Sequence, residues 1–322
     1  MELIPGSEQL RVRSMKWEAE YVLSLALTRD DGSELPEFTP GAHVDLHLQP
    51  GLIRQYSLCG DPAVRDEWKV AVLREPEGRG GSEYVHTVLR PGLTLPVSAP
   101  RNKFPLVEAE SYYFIAGGIG VTPLVPMIKR VAGTGKQWRM LYGGRRRKSM
   151  AFVDELARLG PQVEIVPQDE AGRLELHAAI ASLSAETAVY CCGPEGLIAA
   201  VETACRELGR PAPHVERFAK RSDTNGQTED HGEDREFQLV LAKSGKQCTV
   251  PVGKTIIEVL KEQGVFVPTS CEEGYCGACE TRVQRGVPDH RDDYLTPEQQ
   301  ASNDVMMVCV GRARSAEIVL DL

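Results

Sequence analysis

Hydrophobic and polar positions change rhythm twice along this 322-residue chain, and those changes divide it. In the first hundred residues the rhythm is short. Residues 41–48 (GAHVDLHL) alternate strictly, with Ala42, Val44, Leu46 and Leu48 on one face and His43, Asp45 and His47 on the other. Such period-two alternation marks a strand with two unlike faces. Residues 21–28 (YVLSLALT) and 68–74 (WKVAVLR) read as further strands, separated by turn-rich segments such as 28–41 (TRDDGSELPEFTPG). Many short strands between Gly, Pro and Asp turns predict a small antiparallel β-barrel over residues 1–107.

From about Glu108 apolar runs alternate with helix-period segments. Strands are expected at 112–118 (YYFIAGG), 138–144 (WRMLYGG), 162–168 (QVEIVPQ) and 188–194 (AVYCCGP). Between them fall helices at 122–132 (TPLVPMIKRVA), 151–159 (AFVDELARL), 175–183 (ELHAAIASL) and 195–208 (EGLIAAVETACREL). Thr122 is placed to cap the first of these, with Pro123 at its first helical position. Strands alternating with helices imply a parallel sheet, so residues 108–222 form an α/β domain. Residues 223–236 (DTNGQTEDHGEDRE) hold six acidic residues, one basic residue and nothing apolar. A segment of that kind has no surface to bury and reads as a tether. Past it, 237–252 reads as a hairpin, 255–264 as a helix ended by Gly264, and 296–300 as a short helix with a capping box from Thr296 to Gln299. These complete a small α+β domain over 237–322.

Cysteine placement gives that last domain a chemistry. Cys271, Cys276 and Cys279 form a C-x4-C-x2-C run, and Cys309 follows after 29 intervening residues. This is the spacing of plant-type 2Fe-2S clusters. Gly274, Gly277 and Ala278 let the loop backbone approach the sulfurs. A structural zinc site is the other reading, but such sites favour two short cysteine pairs over three bunched cysteines and one alone. The remaining cysteines read as packed side chains. A net charge of −9 argues against a nucleic-acid ligand and suits an electrostatically guided protein partner. The N-terminal stretch lacks an apolar signal core, so a cytoplasmic protein is expected. The longest uncharged run, 111–128, contains three glycines and two prolines and reads as strand, turn and helix start rather than a membrane span.

Five further stretches bear on nucleotide binding. Residues 54–58 (RQYSL) end a strand, and 78–89 (GRGGSEYVHTVL) lead glycines into a helix at Ser82. An arginine, an aromatic ring and a helix start suit a flavin nucleotide, with its ring on Tyr56 and its phosphate by Arg54 and Ser82; a plain barrel with a glycine turn remains the alternative. Residues 116–123 (AGGIGVTP) and 192–197 (CGPEGL) are two strand-to-helix turns at the carboxyl edge of one sheet, where parallel sheets bind dinucleotides. The run 145–148 (RRRK) could meet the adenosine end or be a solvated turn.

In this order, RxYS, RGGS, GGIGxTP, CGP and the four cysteines resemble the phthalate dioxygenase reductase family across essentially the whole chain. The ending VMMVCVGRARSAEIVLDL is similar too. The resemblance implies a multidomain protein: an FMN-binding barrel, a nicotinamide-nucleotide domain and a plant-type ferredoxin of β-grasp form. It places Arg54, Tyr56 and Ser57 on the flavin, Ala71, Val72 and Leu73 along its ring edge, and Gly80, Gly81 and Ser82 at its phosphate. Gly117, Gly118, Gly120, Thr122, Cys192, Gly193 and Pro194 fall around the nicotinamide. Thr122 and Cys192 take the catalytic positions, as cofactor holders rather than acid–base groups. Phe218 matches an aromatic that covers the flavin, and Arg145 lies at the nucleotide's far end. Cys271, Cys276, Cys279 and Cys309 become the cluster ligands. Two departures stand out: Leu73 replaces an expected lysine, and the basic run 145–148 suits the 2′-phosphate of NADPH although NADH is expected.

The implied activity is an NAD(P)H-dependent reductase that passes electrons through FMN and a 2Fe-2S cluster to an oxygenase component, of Rieske type. A hydride brings two electrons together, the cluster takes one, and a flavin between them reconciles the two. The rivals are an FAD-dependent ferredoxin-reductase-like enzyme with another acceptor and, outside enzymes, a zinc-bound modular scaffold. Neither nucleic acid nor membrane is expected as a partner.

Overall fold

The computed structural model describes residues 7–49, 52–219 and 234–322. Of the expected tether 223–236, residues 223–233 lie outside the described residues. Two compact units are present, Met1–Arg217 and Phe218–Leu322.

The first unit opens with β1 (Ser7–Ala19), β2 (Val22–Thr28), β3 (Ala42–Gln49), β4 (Leu52–Ser57), β5 (Trp68–Leu73), α1 (Gly81–Thr87), β6 (Thr94–Ser98) and β7 (Arg101–Asn102). Their antiparallel sheet runs β4-β3-β6-β1-β2-β5, with β7 on β3. The outer strands meet at a single bridge, Leu58 to Val70, extended by the Cys59 amide donating to the Lys69 carbonyl at 2.8 Å. That closes the sheet into a barrel around Leu10, Leu25, Leu46, Trp68 and Val97. Beyond the bridge β4 and β5 have no pairing with each other among the described residues, which leaves a seam between Tyr56–Ser57 and Ala71–Leu73. The polar face of β3 is not solvated: His43 is 1 % exposed, and Asp45 is buried against Arg101 at 2.7 Å. Burial, then Arg101 and Lys103, push the His43 ring down to about 3, so it stays neutral.

The second half of this unit holds β8 (Ser111–Gly117), α2 (Leu124–Ala132), β9 (Gln137–Gly144), α3 (Val153–Ala157), β10 (Val163–Pro167), α4 (Gln168–Ala171), α5 (Leu176–Ala181), β11 (Thr187–Cys192), α6 (Glu195–Glu207) and β12 (His214–Glu216). The sheet is parallel throughout, in the order β10-β9-β8-β11-β12. Strand order therefore reverses between β8 and β11, and a crevice opens at their carboxyl ends. Apolar side chains cover both faces, Phe114, Met127 and Tyr142 on one and Ile115, Leu141 and Ile198 on the other. The first of these clusters continues into the barrel through Val22, Cys59 and Ala71, so barrel and sheet share a core.

Thr122 does not cap α2. Its hydroxyl donates to the Ile119 carbonyl at 3.0 Å and closes a 3-10 turn over Gly118–Val121. Gly118 at φ +54 lets the chain double back there, and α2 starts at Leu124 with Pro123 as its N-cap.

The second unit contains β13 (Phe237–Leu241), β14 (Gln247–Val250), α7 (Ile256–Glu262), β15 (Glu280–Arg285), β16 (Pro288–Asp289), α8 (Pro297–Ser302), β17 (Val305–Met307), β18 (Arg312–Ala313) and β19 (Glu317–Leu320). Its sheet runs β14-β13-β19-β15-β17, with β13 and β19 parallel, and α7 packs on it in the β-grasp manner. Both α7 and α8 begin with complete capping boxes, Thr255–Glu258 and Thr296–Gln299.

The two turns at the strand reversal touch backbone to backbone. A Cβ on Gly120 would lie 2.3 Å from the Cys192 carbonyl oxygen, whereas one on Gly196 meets nothing within 4 Å. Gly120→Ala is therefore expected to cost about 1–3 kcal/mol, the usual penalty for overpacking. Gly196→Ala should cost nothing. Denaturant unfolding of the two variants beside the parent checks this, and equal stability of all three would refute the close approach.

Candidate functional site

Three sets of expected site residues can be placed. On β4, Arg54 lies directly over the start of α1, where a Cβ on Gly81 would come 2.3 Å from Arg54 Cγ. Gly80 at φ +79 turns the chain into the helix and has open space around it. Ser82 Oγ is occupied, accepting from the Glu75 amide at 3.0 Å. A phosphate here would meet Arg54 and backbone amides before it met that hydroxyl. Tyr56 is half-buried against the barrel core, and burial raises its hydroxyl pKa against the opposing effect of Arg54. Along β5 the side chains of Ala71 and Val72 point into two different cores. Only their backbone is left for the seam, and Leu73 is half-buried against the sheet domain. An open seam edged by backbone, with an arginine and two glycines at one end, fits a flavin mononucleotide. Tyr84, the aromatic that could have served an adenine, packs on the barrel core.

The second set gathers at the strand reversal. Gly117, Gly120 and Gly193 pack against the facing turn: a Cβ on Gly193 would lie 2.9 Å from Gly117 Cα, and one on Gly117 would lie 2.7 Å from Pro194 Cδ. Gly118 alone of the four faces open space. Thr122 is buried beside them, and Cys192 ends β11 fully buried. Burial, and then Glu216, hold the Cys192 thiol well above its ordinary pKa, so it is neutral and no nucleophile.

Glu216 is the residue that sequence reasoning missed. It ends β12 in register with Cys192, and Ser57 Oγ of the barrel lies 3.2 Å from its Oε2. Burial pushes its carboxyl up to about 8, with the Ser57 contact opposing. Ser57 on the barrel seam, Cys192 at the strand-reversal turn and Glu216 thus form one polar spot in a shared wall. The available signal was an acid in HVERF, two positions before Phe218 and without an apolar partner pattern.

The basic run 145–148 is mostly spent internally. Arg146 and Lys148 pair with Glu20 at 3.2 and 3.4 Å, and Arg147 pairs with Glu170 at 2.9 Å. Arg145 is exposed at the carboxyl end of β9. Phe218, 39 % exposed, is the first residue of the second unit.

The third set lies in that unit. Cys271, Cys276, Cys279 and Cys309 are all buried. The Cys271 thiol is linked to those of Cys276 and Cys309, and the Cys279 thiol to that of Cys309. The Glu273 amide donates to Cys271 Sγ at 3.3 Å, and the Cys271 amide to Cys276 Sγ at 3.5 Å. Gly274 and Gly277 sit at φ +82 and +71, and a Cβ on either would collide, with Val310 and with Tyr294. The neighbouring thiols of Cys276 and Cys309 and the amides of Glu273 and Tyr275 favour the Cys271 thiolate, while Cys276 and Cys309 are held protonated by the sulfur charge beside them. Four thiolates can coexist here only with positive charge among them, which is what iron supplies. The donor set and the inward amides fit a two-iron cluster. Among the described residues no group of three or more His, Cys, Asp or Glu has the geometry of a single-ion site.

Known proteins resemble this chain over almost its whole length. The oxidoreductase NAD-binding domain family matches residues 114–203, and the 2Fe-2S iron-sulfur cluster binding domain family matches 239–314. The phenoxybenzoate dioxygenase subunit beta of Ectopseudomonas oleovorans is 40% identical over 315 residues, 97% of each chain. A solved phthalate dioxygenase reductase, described as a modular structure for electron transfer from pyridine nucleotides to a 2Fe-2S centre, is 35% identical with a TM-score of 0.73 and covers 98% of both chains. An intact type IV self-sufficient cytochrome P450 monooxygenase gives a TM-score of 0.87 at 38% identity; it matches 98% of this chain, which spans 41% of that protein. Among the described residues no helix is long and apolar enough to cross a membrane.

Glu216 makes stability depend on pH in a set direction. Its carboxyl holds a proton in the fold up to about 8 but releases it near the ordinary glutamate value when unfolded. Between those values the folded state binds more protons, so stability falls as pH rises. Glu216→Gln removes that dependence. The gap in melting temperature between variant and parent should therefore widen from pH 5 to 8 in favour of the variant. A gap independent of pH would show that Glu216 is ionised in the fold.

Proposed function

The chain belongs to the phthalate dioxygenase reductase family, and from that premise we propose that it is the reductase component of an oxygenase system, passing electrons from NADH to a separate iron oxygenase. Its cofactors are FMN, a 2Fe-2S cluster and NADH. The observation that carries this reading is the 3.2 Å contact between Ser57 and Glu216, which gives the barrel seam and the strand-reversal crevice a common wall. Residues 1–107 hold the flavin, 108–222 the nicotinamide nucleotide and 237–322 the cluster, with 223–236 as tether.

A flavin held at the seam would supply the exchange between two-electron hydride transfer and one-electron transfer that the cluster needs. The chain's own residues bind and orient. Arg54 and the backbone at Gly80, Gly81 and Ser82 neutralise the flavin phosphate, Tyr56 lies against the ring, and the backbone of Ala71, Val72 and Leu73 edges it. Leu73 places an apolar side chain where a lysine would add positive charge, which makes the flavin harder to reduce. Gly118, with open space above it, admits the nucleotide, and Thr122, Cys192, Gly193 and Pro194 line its nicotinamide end. Buried neutral Cys192 and protonated Glu216 keep charge away from the place where hydride moves. No residue of this wall needs to act as nucleophile.

Internal pairing of Arg146, Arg147 and Lys148 withdraws three of the four charges that pointed to NADPH. Arg145 then supports NADH with residual use of NADPH. Arg145→Ala should lower kcat/KM for NADPH by roughly tenfold, the loss of one charge-assisted contact, and leave NADH within about twofold. Equal losses for both coenzymes would remove Arg145 from the 2′ position.

We take the acceptor to be of Rieske type, in keeping with the dioxygenase named for the relative in Ectopseudomonas oleovorans. The self-sufficient P450, part of which this chain resembles, supplies the second reading, a haem oxygenase. Cys276→Ser should leave flavin reduction by NADH intact and abolish reduction of an added Rieske oxygenase. Stopped-flow spectra at the flavin and cluster bands report the two steps separately. Continued reduction of the oxygenase by the variant would refute the electron route, and preferential reduction of a P450 by the parent protein would favour the haem reading.

A further inference from the structure

Strand β12 is three residues long and lies at the sheet edge. So short a strand makes few ladder hydrogen bonds, and its register needs pins. One pin is His214, whose ring stacks on Tyr190 at 4.6 Å. The other is Arg217, 10 % exposed at the side chain. Its Nε lies 3.0 Å from Glu195 Oε2 and its Nη2 lies 2.8 Å from Glu202 Oε1. Glu195 opens α6 immediately after the Cys192–Gly193–Pro194 turn, and Glu202 sits two turns further along the same helix. A planar guanidinium held by two carboxylates on one helix face fixes both position and orientation.

We infer that Arg217 is a positioning residue, bracing β12 against α6 so that Glu216 stays beside Ser57 and Cys192. Arg217 directly follows β12, so fixing it against α6 fixes the end of the strand that carries Glu216. The need for one is local: the chain leaves this unit directly after Arg217, and Phe218 opens the next. Without the brace β12 keeps its three-residue ladder and the His214–Tyr190 stack, neither of which grips the chain past Glu216.

The inference rests on the reading of Ser57, Cys192 and Glu216 as the wall of the hydride-transfer site, and the test separates the two. In holoprotein carrying FMN and cluster, the infrared band of the protonated carboxyl that Glu216→Gln abolishes is titrated with pH. Arg217→Gln should move its midpoint from about 8 toward the ordinary glutamate range, because a released β12 lets water reach the carboxyl. Flavin reduction at saturating NADH should slow by roughly ten- to a hundredfold, as for a small misplacement at a reacting centre. Arg217→Lys, which keeps the charge, should restore most of the midpoint and rate, and Glu202→Gln, which removes one of the two pairs, should give an intermediate midpoint shift. These two variants carry the test if Arg217→Gln does not fold. An unchanged midpoint in Arg217→Gln, or in Glu202→Gln where it stands in, overturns the brace even if the rate falls. A shifted midpoint combined with an unaltered rate in Glu216→Gln upholds the brace and removes Glu216 from the hydride site.

Discussion

Contact between the backbones of Gly117 and Gly193 is the constraint on which the first unit's site depends. No side chain fits between them, since a Cβ on Gly193 would reach 2.9 Å from Gly117 Cα. The ends of β8 and β11 are thereby drawn together at the point where strand order reverses. Gly120 then lies against the Cys192 carbonyl, Cys192 stands opposite Glu216 in the β11–β12 register, and Glu216 reaches Ser57 on the barrel. Each link is a short-range contact, so the crevice is only as well formed as the glycine contact beneath it. Glycines in such turns are commonly explained by room for a pyrophosphate. Here three of the four meet protein first, and only Gly118 leaves its space to a ligand.

Charge is arranged on the same principle of neighbouring residues with opposite surroundings. Glu216 and Arg217 are adjacent, yet one is a desolvated acid held neutral and the other a cation satisfied by two carboxylates. The first, at the end of β12, reaches Ser57, and the second, just past the strand, reaches the carboxylates of α6. A like separation appears at the junction of barrel and sheet. Glu18, nearly inaccessible, is paired with Lys16 and Lys69, and Lys69 also lies over the Phe152 ring at 4.8 Å. Buried charges of this kind are costly unless fully paired, and both sets are. Neutral Cys192 and Glu216 then line the strand-reversal crevice, while full charges face the seams that hold the unit together.

The hydrophobic rhythms along the chain foretold the architecture because they reflect burial directly. Period-two alternation in 41–48 and apolar runs before glycine turns became β3 and the parallel strands, and Cys309 came back to the loop of Cys271, Cys276 and Cys279. What stayed hidden depended on contacts between distant segments. Asp45 and His43 look solvent-facing in the alternation but are covered, because Arg101 and Ser98 come from a later strand. Thr122 has the composition of a helix cap, yet the tight turn allowed by Gly118 claims its hydroxyl. The basic run 145–148 suggested a phosphate site because its carboxylate partners, Glu20 and Glu170, are far away in the chain. Glu216 was illegible for the same reason: its character comes from burial beside Ser57, 159 positions earlier.

In the second unit the linear spacing of the cysteines is itself a consequence of geometry. Four residues separate Cys271 from Cys276, and to bring the second sulfur back to the first the chain must reverse within them. Glu272 and Gly274 do this in left-handed conformations, at φ +55 and +82. The reversal also turns the Glu273 amide onto Cys271 Sγ, so one backbone feature both gathers the sulfurs and stabilises their charge. Gly277, pressed against the Tyr294 ring, repeats the device before Cys279. Hydrogen bonds to sulfur and exclusion of solvent are among the quantities that set a cluster's potential. Here both follow from where the chain is compelled to turn, so the C-x4-C-x2-C pattern fixes the electronic surroundings of the cluster as well as its ligands.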